Sequence, residues 1–525
     1  MTQHLSQQQQ RMKRKKPIRN PLVRGILAFC KKSGIPILDS TCCSDTETEL
    51  HTATANIRDS TLSEQQTASP AETSDSSPLP SLSLSPSDIP KRYTSYPPLL
   101  LLPHNFPTHN QRWTEVYSTL SEGDKTILFQ CIAEIGFGAG NQKIDRIAIN
   151  APIAAAQDET IDHDTHGPLG PDVDDTERTS KHQQQKKENV MRSPSGLLPV
   201  YGGWGHTLDS GASSNPTSRD FSAAFWTSTV QHKGITQYWA PLYTMFSRGN
   251  TSEKARILGI PTGTGSSGGG GEHDNDTCSG RDNVTFPGLT TDASQHQKMD
   301  VIDFYVGIGY FAFCYLTRGV RRVYGWDINP WSIEGLRRGC EANGWSCLVI
   351  RVDENGSMVN QTPADVARSI GRDEADDGNG HDHDRGRQPK IRCVAFLGDN
   401  KWTDKVMGEI QKAGVALDIR HANLGLLPTS RGSWENAVKA ICGRHDTNGE
   451  GWLHIHENVD VRDIEKKKTE ITHDIASLVK RQFSAQESDM AWSVSCDHVE
   501  QVKTYAPGVM HCVYDVHIIQ TNPNG

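Results

Sequence analysis

No run in the chain approaches the roughly 20 consecutive apolar residues that a bilayer crossing needs. The nearest, Pro97–Pro103, is short and bracketed by prolines. A glutamine run at Gln7–Gln10 and a basic cluster open the chain without a long apolar segment behind them, which argues against a secretory signal. The 12 cysteines show no paired spacing, and only Cys42 and Cys43 are adjacent. That excludes a disulfide framework and a zinc ribbon and reads as reduced thiols of a cytosolic protein. Internal repeats are missing too. Hydrophobic residues make up only 35% of the 525, with a mean hydropathy of −0.58. With 46 glycines and 27 prolines, much of the length reads as linker or insert rather than core. Lysine and arginine number 54 against 63 acidic residues, a net charge of −9. Polar inserts carry part of that excess, so a basic face on the folded part remains open.

Composition divides the chain. Residues 1–90 are rich in Ser, Thr, Gln and Pro and read as mostly disordered, with one basic and apolar patch, Lys15–Leu38, suggesting a short helix. Residues 91–234 read as a smaller α+β domain with a polar insert at 151–188, a helix near Trp113–Ile135 and a strand at Ile144–Ile149. Residues 235–525 read as an α/β domain with inserts at 261–298 and 354–390. The 354–390 segment is so polar that its deletion is expected to matter little.

In the larger domain Met299–Val306 is a short apolar, β-branched run of the kind found in buried parallel strands. A Gly-x-Gly turn and a helical stretch follow, and Val323–Ile328 is the next strand. Asn329 and Pro330 then start a helix as N-cap and first-turn residue, and Asn343-Gly344 ends it. Strand, helix, strand, helix in this order predicts a parallel sheet. Further strands are expected at Arg392–Leu397, Leu417–Ala422 and Trp452–His456, then a terminal antiparallel pair at Trp492–His498 and Val509–Ile519. That reversed ending marks a seven-stranded, methyltransferase-like Rossmann sheet rather than an ordinary dinucleotide fold.

The candidate site follows from the same pattern. Asp303 precedes Gly307 and Gly309, which let backbone approach a ligand at the end of the first strand. Asp327 ends the second strand 18 residues after Gly309, where an acid can accept ribose hydroxyls. A third glycine of the dinucleotide fingerprint is missing, which favours S-adenosylmethionine, a ligand without a pyrophosphate. Asp399 and Asn400 could bind adenine or simply form an Asx turn. His381-x-His383 and His454-x-His456 lack a third spaced ligand, so no metal is expected.

Several segments resemble the tRNA wybutosine-synthesizing protein 2 family of aminocarboxypropyltransferases. They are APLYTMFSRGN (Ala240–Asn250) with EKARIL (Glu253–Leu258), DFYVGIGYF (Asp303–Phe311) and GWDINPWSIEGLRRG (Gly325–Gly339). NLGLLPTS (Asn423–Ser430), VKTYAPGVMHCVYDV (Val502–Val516), Arg192–Pro194 and Tyr201–Gly205 complete the set. The resemblance implies an enzyme that transfers the 3-amino-3-carboxypropyl group of S-adenosylmethionine to carbon 7 of 4-demethylwyosine, beside the anticodon of phenylalanine tRNA. It implies donor contacts from Ser247, Lys254, Asp327, Asp399 and Asn400. The family often has Glu where this chain has Asp327. By local sequence alone, Lys254 reads as a solvated charge on a helix.

No general base can be named. His421, His454 and His456 are candidates, though a histidine on an apolar strand is more often a satisfied core residue. Arg11–Arg19, Lys466–Lys468 and Arg318, Arg321, Arg322, Arg337 and Arg338 are candidate phosphate contacts, and Trp204 or Trp239 could stack on an extruded base. Two other readings are a tRNA guanine-N1 methyltransferase on the same fold and a non-catalytic tRNA-binding protein.

Overall fold

The computed structural model describes residues 19–38, 83–138, 143–150, 197–205, 215–247, 249–260, 286–289, 293–375, 390–443, 450–483 and 491–521. Residues 11–18 of the basic run, the 151–188 segment, Arg192–Pro194, Arg248, and His381 with His383 lie outside them. The chain forms two units that divide near residue 204, so residues 205–234 belong to the second unit rather than the first. Among the described residues no helix is long and apolar enough to cross a membrane.

The first unit is a four-stranded sheet, β1 (Thr94–Tyr96), β2 (Leu99–Leu102), β3 (Arg146–Ile149) and β4 (Leu198–Tyr201), packed with helices. Pro21–Lys32 is one of these, so this part of the 1–90 region is folded. Asn20 caps it, its side chain accepting from Val23 N–H at 3.2 Å, with Pro21 in the first turn. Leu22, Ile26 and Phe29 recur at helical spacing and are fully buried against Phe106, Trp113, Leu128 and Ile132. The helix expected near Trp113–Ile135 is broken in two, because Ser121 forms a capping box with Asp124 and restarts it.

The second unit has a short helix (Ser218–Ala224) and a hairpin, β5 (Thr227–Gln231) and β6 (Ile235–Trp239), before the eight-stranded sheet on which it is built. Its strands are β7 (Asp300–Asp303), β8 (Arg322–Asp327), β9 (Ser346–Arg351), β10 (Ile391–Leu397), β11 (Ile419–Leu424), β12 (Glu450–Asp460), β13 (Ala491–Ala506) and β14 (Val509–Thr521). The order is β13-β14-β12-β11-β7-β8-β10-β9. All neighbours are parallel except β14, which runs antiparallel to both β12 and β13. All seven expected strands are present in the methyltransferase-like order. The eighth, β9, is an added edge strand.

Alternation along the strands sorts two cores. Ile302, Tyr324, Trp326, Val394 and Phe396 face one side, where Val406, Val438, Ile441 and Ile475 come from the covering helices. Val301, Val323, Cys393 and Ala395 face the other, against helices Ala312–Arg318 and Pro330–Ala342. The latter starts as expected, with Asn329 Oδ1 accepting from Trp331 N–H at 2.9 Å.

Two inserts contribute more than their composition promised. Phe286 and Leu289, within the expected 261–298 insert, are buried in the second core. The 354–390 segment contains a helix, Pro363–Ala375, whose Val366 and Ile370 are buried in the first core. Thr362 caps it through a reciprocal pair with Asp365. The average polarity of the segment hid two apolar residues four apart on one helix face. Deleting it is therefore destabilising. Ile370→Ala alone should cost about 2–4 kcal/mol, read as a lowered urea midpoint.

Candidate nucleoside site

Asp303, fully buried, ends β7. Its Oδ1 accepts from Tyr305 N–H at 3.2 Å and from Asn423 Nδ2 at 3.1 Å. Asn423 is its neighbour in the sheet register. Asp303 Oδ2 and Asn423 Oδ1 are buried acceptors without a described donor. Burial pushes the Asp303 carboxyl up to about 7 against the pull of these hydrogen bonds, and Asp327 adds to the rise.

The turn after β7 needs its glycines. Gly307 (φ +55°) and Gly309 (φ +92°) both lie in the left-handed region, and a Cβ on Gly309 would come within 2.6 Å of the Phe313 ring. Asp327 clamps this turn. Its Oδ2 accepts from Gly307 N–H at 3.0 Å and its Oδ1 from Asn329 N–H at 2.8 Å. Each carboxylate oxygen has further acceptor capacity, so the clamp leaves room for a ribose hydroxyl.

Asn400 Nδ2 donates to the Phe304 carbonyl at 2.8 Å, while its Oδ1 accepts from Ser433 Oγ at 3.2 Å. Ser433 Oγ also bonds Tyr305 Oη at 2.6 Å. The Asn400 side chain thus ties β7 to the turn after β10. Asp399 is exposed and accepts from Lys401 N–H at 2.9 Å, the Asx-type geometry left open by the sequence.

Tyr310 joins the remaining residues to the glycine turn. Its hydroxyl donates to the Met245 carbonyl and accepts from Ser247 N–H at 3.1 Å. Its ring receives the Lys254 ammonium 5.3 Å from the centroid. Lys254 is 3% exposed and reaches Gln231 Oε1 at 3.4 Å. It is therefore not the solvated charge that local sequence suggests. Burial lowers its pKa and nearby Lys503 lowers it further. Lys503 extends from β13 so close to Gly249 that a Cβ there would lie 2.2 Å from its Nζ. Neither lysine has an acidic partner among the described residues.

The short helix Thr251–Ile257 that carries Lys254 is anchored from below. Arg256 pairs with Glu253 at 2.8 Å and with Asp515 of β14 at 2.5 Å, all three buried. Asp515 also accepts from His454 Nδ1 at 2.6 Å, and His454 Nε2 lies 3.0 Å from His421 Nδ1. His456 and His511 form a second pair at 3.0 Å. Burial drives His421 and His456 well below the usual histidine range, so they are neutral core residues.

Asp303, Gly307, Gly309, Asp327 and Asn400 thus gather at the carboxyl ends of β7, β8 and β10, Ser247 and Lys254 reach the glycine turn through Tyr310, and the exposed Asp399 carboxylate bonds only its neighbour Lys401 among the described residues. Sequence reasoning assigned no role to Tyr310, Asn423, Arg256, Lys503 or Asp515, although all lie within the recognised segments. Several phosphate candidates are spent internally. Arg321 pairs with Asp300, Arg337 and Arg338 with Glu334, and Arg322 is 2% exposed. Trp239 is buried and stacked on Phe246 at 4.3 Å, a core contact.

Asp303 has a consequence for stability. Its folded pKa, about 7, lies above the unfolded value of about 3.9. Between those values the native chain holds a proton that the unfolded chain has lost, so stability falls as pH rises through the window. Asp303→Asn should remove this decline, which is worth up to about 1.4 kcal/mol per pH unit. Urea midpoints of both proteins at pH 5 and pH 8 measure it.

No protein-family model matches the chain. The tRNA wybutosine-synthesizing protein 2 of Schizosaccharomyces pombe is 30% identical over 434 residues, covering 82% of this chain and 73% of that protein. Its namesake in Saccharomyces cerevisiae is 30% identical over 349 residues, 63% of this chain and 57% of that protein. Among solved structures, P. horikoshii TYW2 in complex with MeSAdo is 13% identical with a TM-score of 0.40, covering 83% of this chain and 93% of that one. Extended similarity to the S. pombe protein places the sequence: the chain belongs to the tRNA wybutosine-synthesizing protein 2 family.

Proposed function

We propose that this enzyme transfers the 3-amino-3-carboxypropyl group of S-adenosylmethionine to carbon 7 of 4-demethylwyosine in the anticodon region of phenylalanine tRNA. The sulfur–carbon bond breaks as the new carbon–carbon bond forms, methylthioadenosine leaves, carbon 7 loses its hydrogen as a proton to solvent, and the reaction takes place in the cytoplasm. Family membership supports the tRNA substrate and the transferase class. The observation that carries the chemistry is Lys254, a buried cation without an acidic partner among the described residues, held over the Tyr310 ring of the glycine turn, with Lys503 beside Gly249 near enough to lower its pKa.

The residues fit the donor. Asp327, already clamping the turn, accepts from the ribose, and exposed Asp399 accepts from the adenine amino group, with Asn400 holding that turn in place. Lys254 binds the tail carboxylate, with Ser247 beside it and Lys503 adding positive charge. The orphaned acceptors of Asp303 and Asn423 suit the tail ammonium. The donor supplies a sulfonium with three electrophilic carbons; the chain selects one by placing it in line with the incoming base carbon. Orientation, rather than acid–base chemistry, is the work of these side chains.

Donor labelled in the methyl carbon or in the carboxypropyl carbons tests the reading. The carboxypropyl label should reach phenylalanine tRNA. Methyl label in the tRNA would instead establish a methyltransferase, and label in neither would leave a binding protein. Asp327→Ala should abolish donor binding by calorimetry while tRNA retention on filters stays within about twofold. Lys254→Met should weaken donor binding at least tenfold, about 1.4 kcal/mol, without weakening methylthioadenosine, which has no carboxylate to lose.

A further inference from the structure

Three thiols converge away from the nucleoside site. Cys340 lies on the inner face of helix Pro330–Ala342, Cys347 is the second residue of β9, and Cys393 lies beside it in the ladder on β10. Their sulfur atoms all lie within 4.8 Å of one another. We propose that Cys340, Cys347 and Cys393 bind a thiophilic d10 cation, Zn2+ in the first instance, through three thiolates and one solvent ligand.

The geometry is close to what such an ion requires. Two sulfurs on one tetrahedral zinc, each about 2.3 Å from it, stand roughly 3.8 Å apart. Small side-chain rotations bring the three sulfurs to that spacing. Cys340 and Cys393 are fully buried, and Cys347 is partly exposed. A single buried cysteine is an ordinary small hydrophobe. Packing does not require three sulfurs from three separate elements to face one another.

Binding through three thiolates displaces the thiol protons to solvent, so it strengthens as pH rises. Three thiolates and Zn2+ leave one negative charge beside Arg337, which Glu334 holds in place at 2.8 Å. Bound metal would pin the added edge strand β9 to the strand and helix next to it, a structural task.

Sequence spacing conceals this site. Six residues separate Cys340 from Cys347 and 45 separate Cys347 from Cys393, so no short motif announces it. The expectation of no metal rested on such motifs.

The test uses the full chain purified without a histidine tag. Metal is counted by plasma mass spectrometry, and Co2+ is titrated spectroscopically. The expected result is about one zinc per chain, a near-ultraviolet thiolate-to-cobalt band, and loss of both in Cys347→Ser and Cys393→Ser. Absence of stoichiometric metal and of the band in the unsubstituted chain overturns the proposal, as does full zinc binding by the triple Cys→Ala variant. Should those variants not fold, N-ethylmaleimide labelling of the unsubstituted chain decides. Added Zn2+ should slow modification of Cys347 at least tenfold. An unchanged rate, or a pair that reacts only after reduction, overturns the assignment.

Discussion

A guanidinium sealed from water governs the second unit. Burial works to lower the Arg256 pKa, but Glu253 and Asp515 more than compensate and raise it. Burial likewise works to raise the Asp515 pKa, and Arg256 with His454 overcomes it and keeps the carboxylate ionised. Glu253 is different. Its burial outweighs Arg256, and its pKa is raised. Opposite charges facing one another at hydrogen-bond distance let the cluster exist in a dry interior. Such groups add little to stability over a well-packed apolar set, yet removing one member typically costs about 3–5 kcal/mol. What the cluster adds is position. It fixes a short helix, too short to be stable on its own, against a strand 259 residues further along. Lys254 is set by that bond.

The histidines beneath this helix extend the same bond. With Asp515 ionised, His454 donates from Nδ1 to it, and His454 Nε2 shares one hydrogen with His421 Nδ1. Phe286 covers His454 at 4.4 Å and lies 4.6 Å from the Arg256 guanidinium, so the layer is roofed by an aromatic ring. Histidines so placed orient strands and do not serve as proton acceptors for a nucleic-acid base. The three histidines that the sequence offered as bases are all accounted for by packing.

Local signals made the centre of the fold legible. Asp303, the Gly307 and Gly309 turn, Asp327 and the Asn329-Pro330 helix start each follow from a residue type at a fixed spacing, and the hydrogen bonds between them are short-range consequences. Features that depend on distant segments were not legible. Strand β9 received no assignment, although its Cys347–Ile350 run is apolar. Val366 and Ile370 are diluted by charged neighbours. Arg256, Asp515 and Lys503 look like surface charges until the fold buries or gathers them. Residues matter here through what they meet, and one-dimensional spacing records only neighbours along the chain.

Lys254 and Lys503 add a final physical constraint. Each lowers its own chance of staying charged, Lys254 by burial and Lys503 by partial burial, and their proximity depresses Lys254 further. Two ammonium groups near one another without a carboxylate are electrostatically unsatisfied. In the proposed reaction the donor tail relieves that strain on binding. The same tail departs attached to the tRNA base, while the nucleoside left behind carries no anionic group. The interaction that orders the donor is therefore absent from the thioether product. On that reading, attraction that holds the donor and ignores the spent nucleoside gives the site a direction, and it does so with charge.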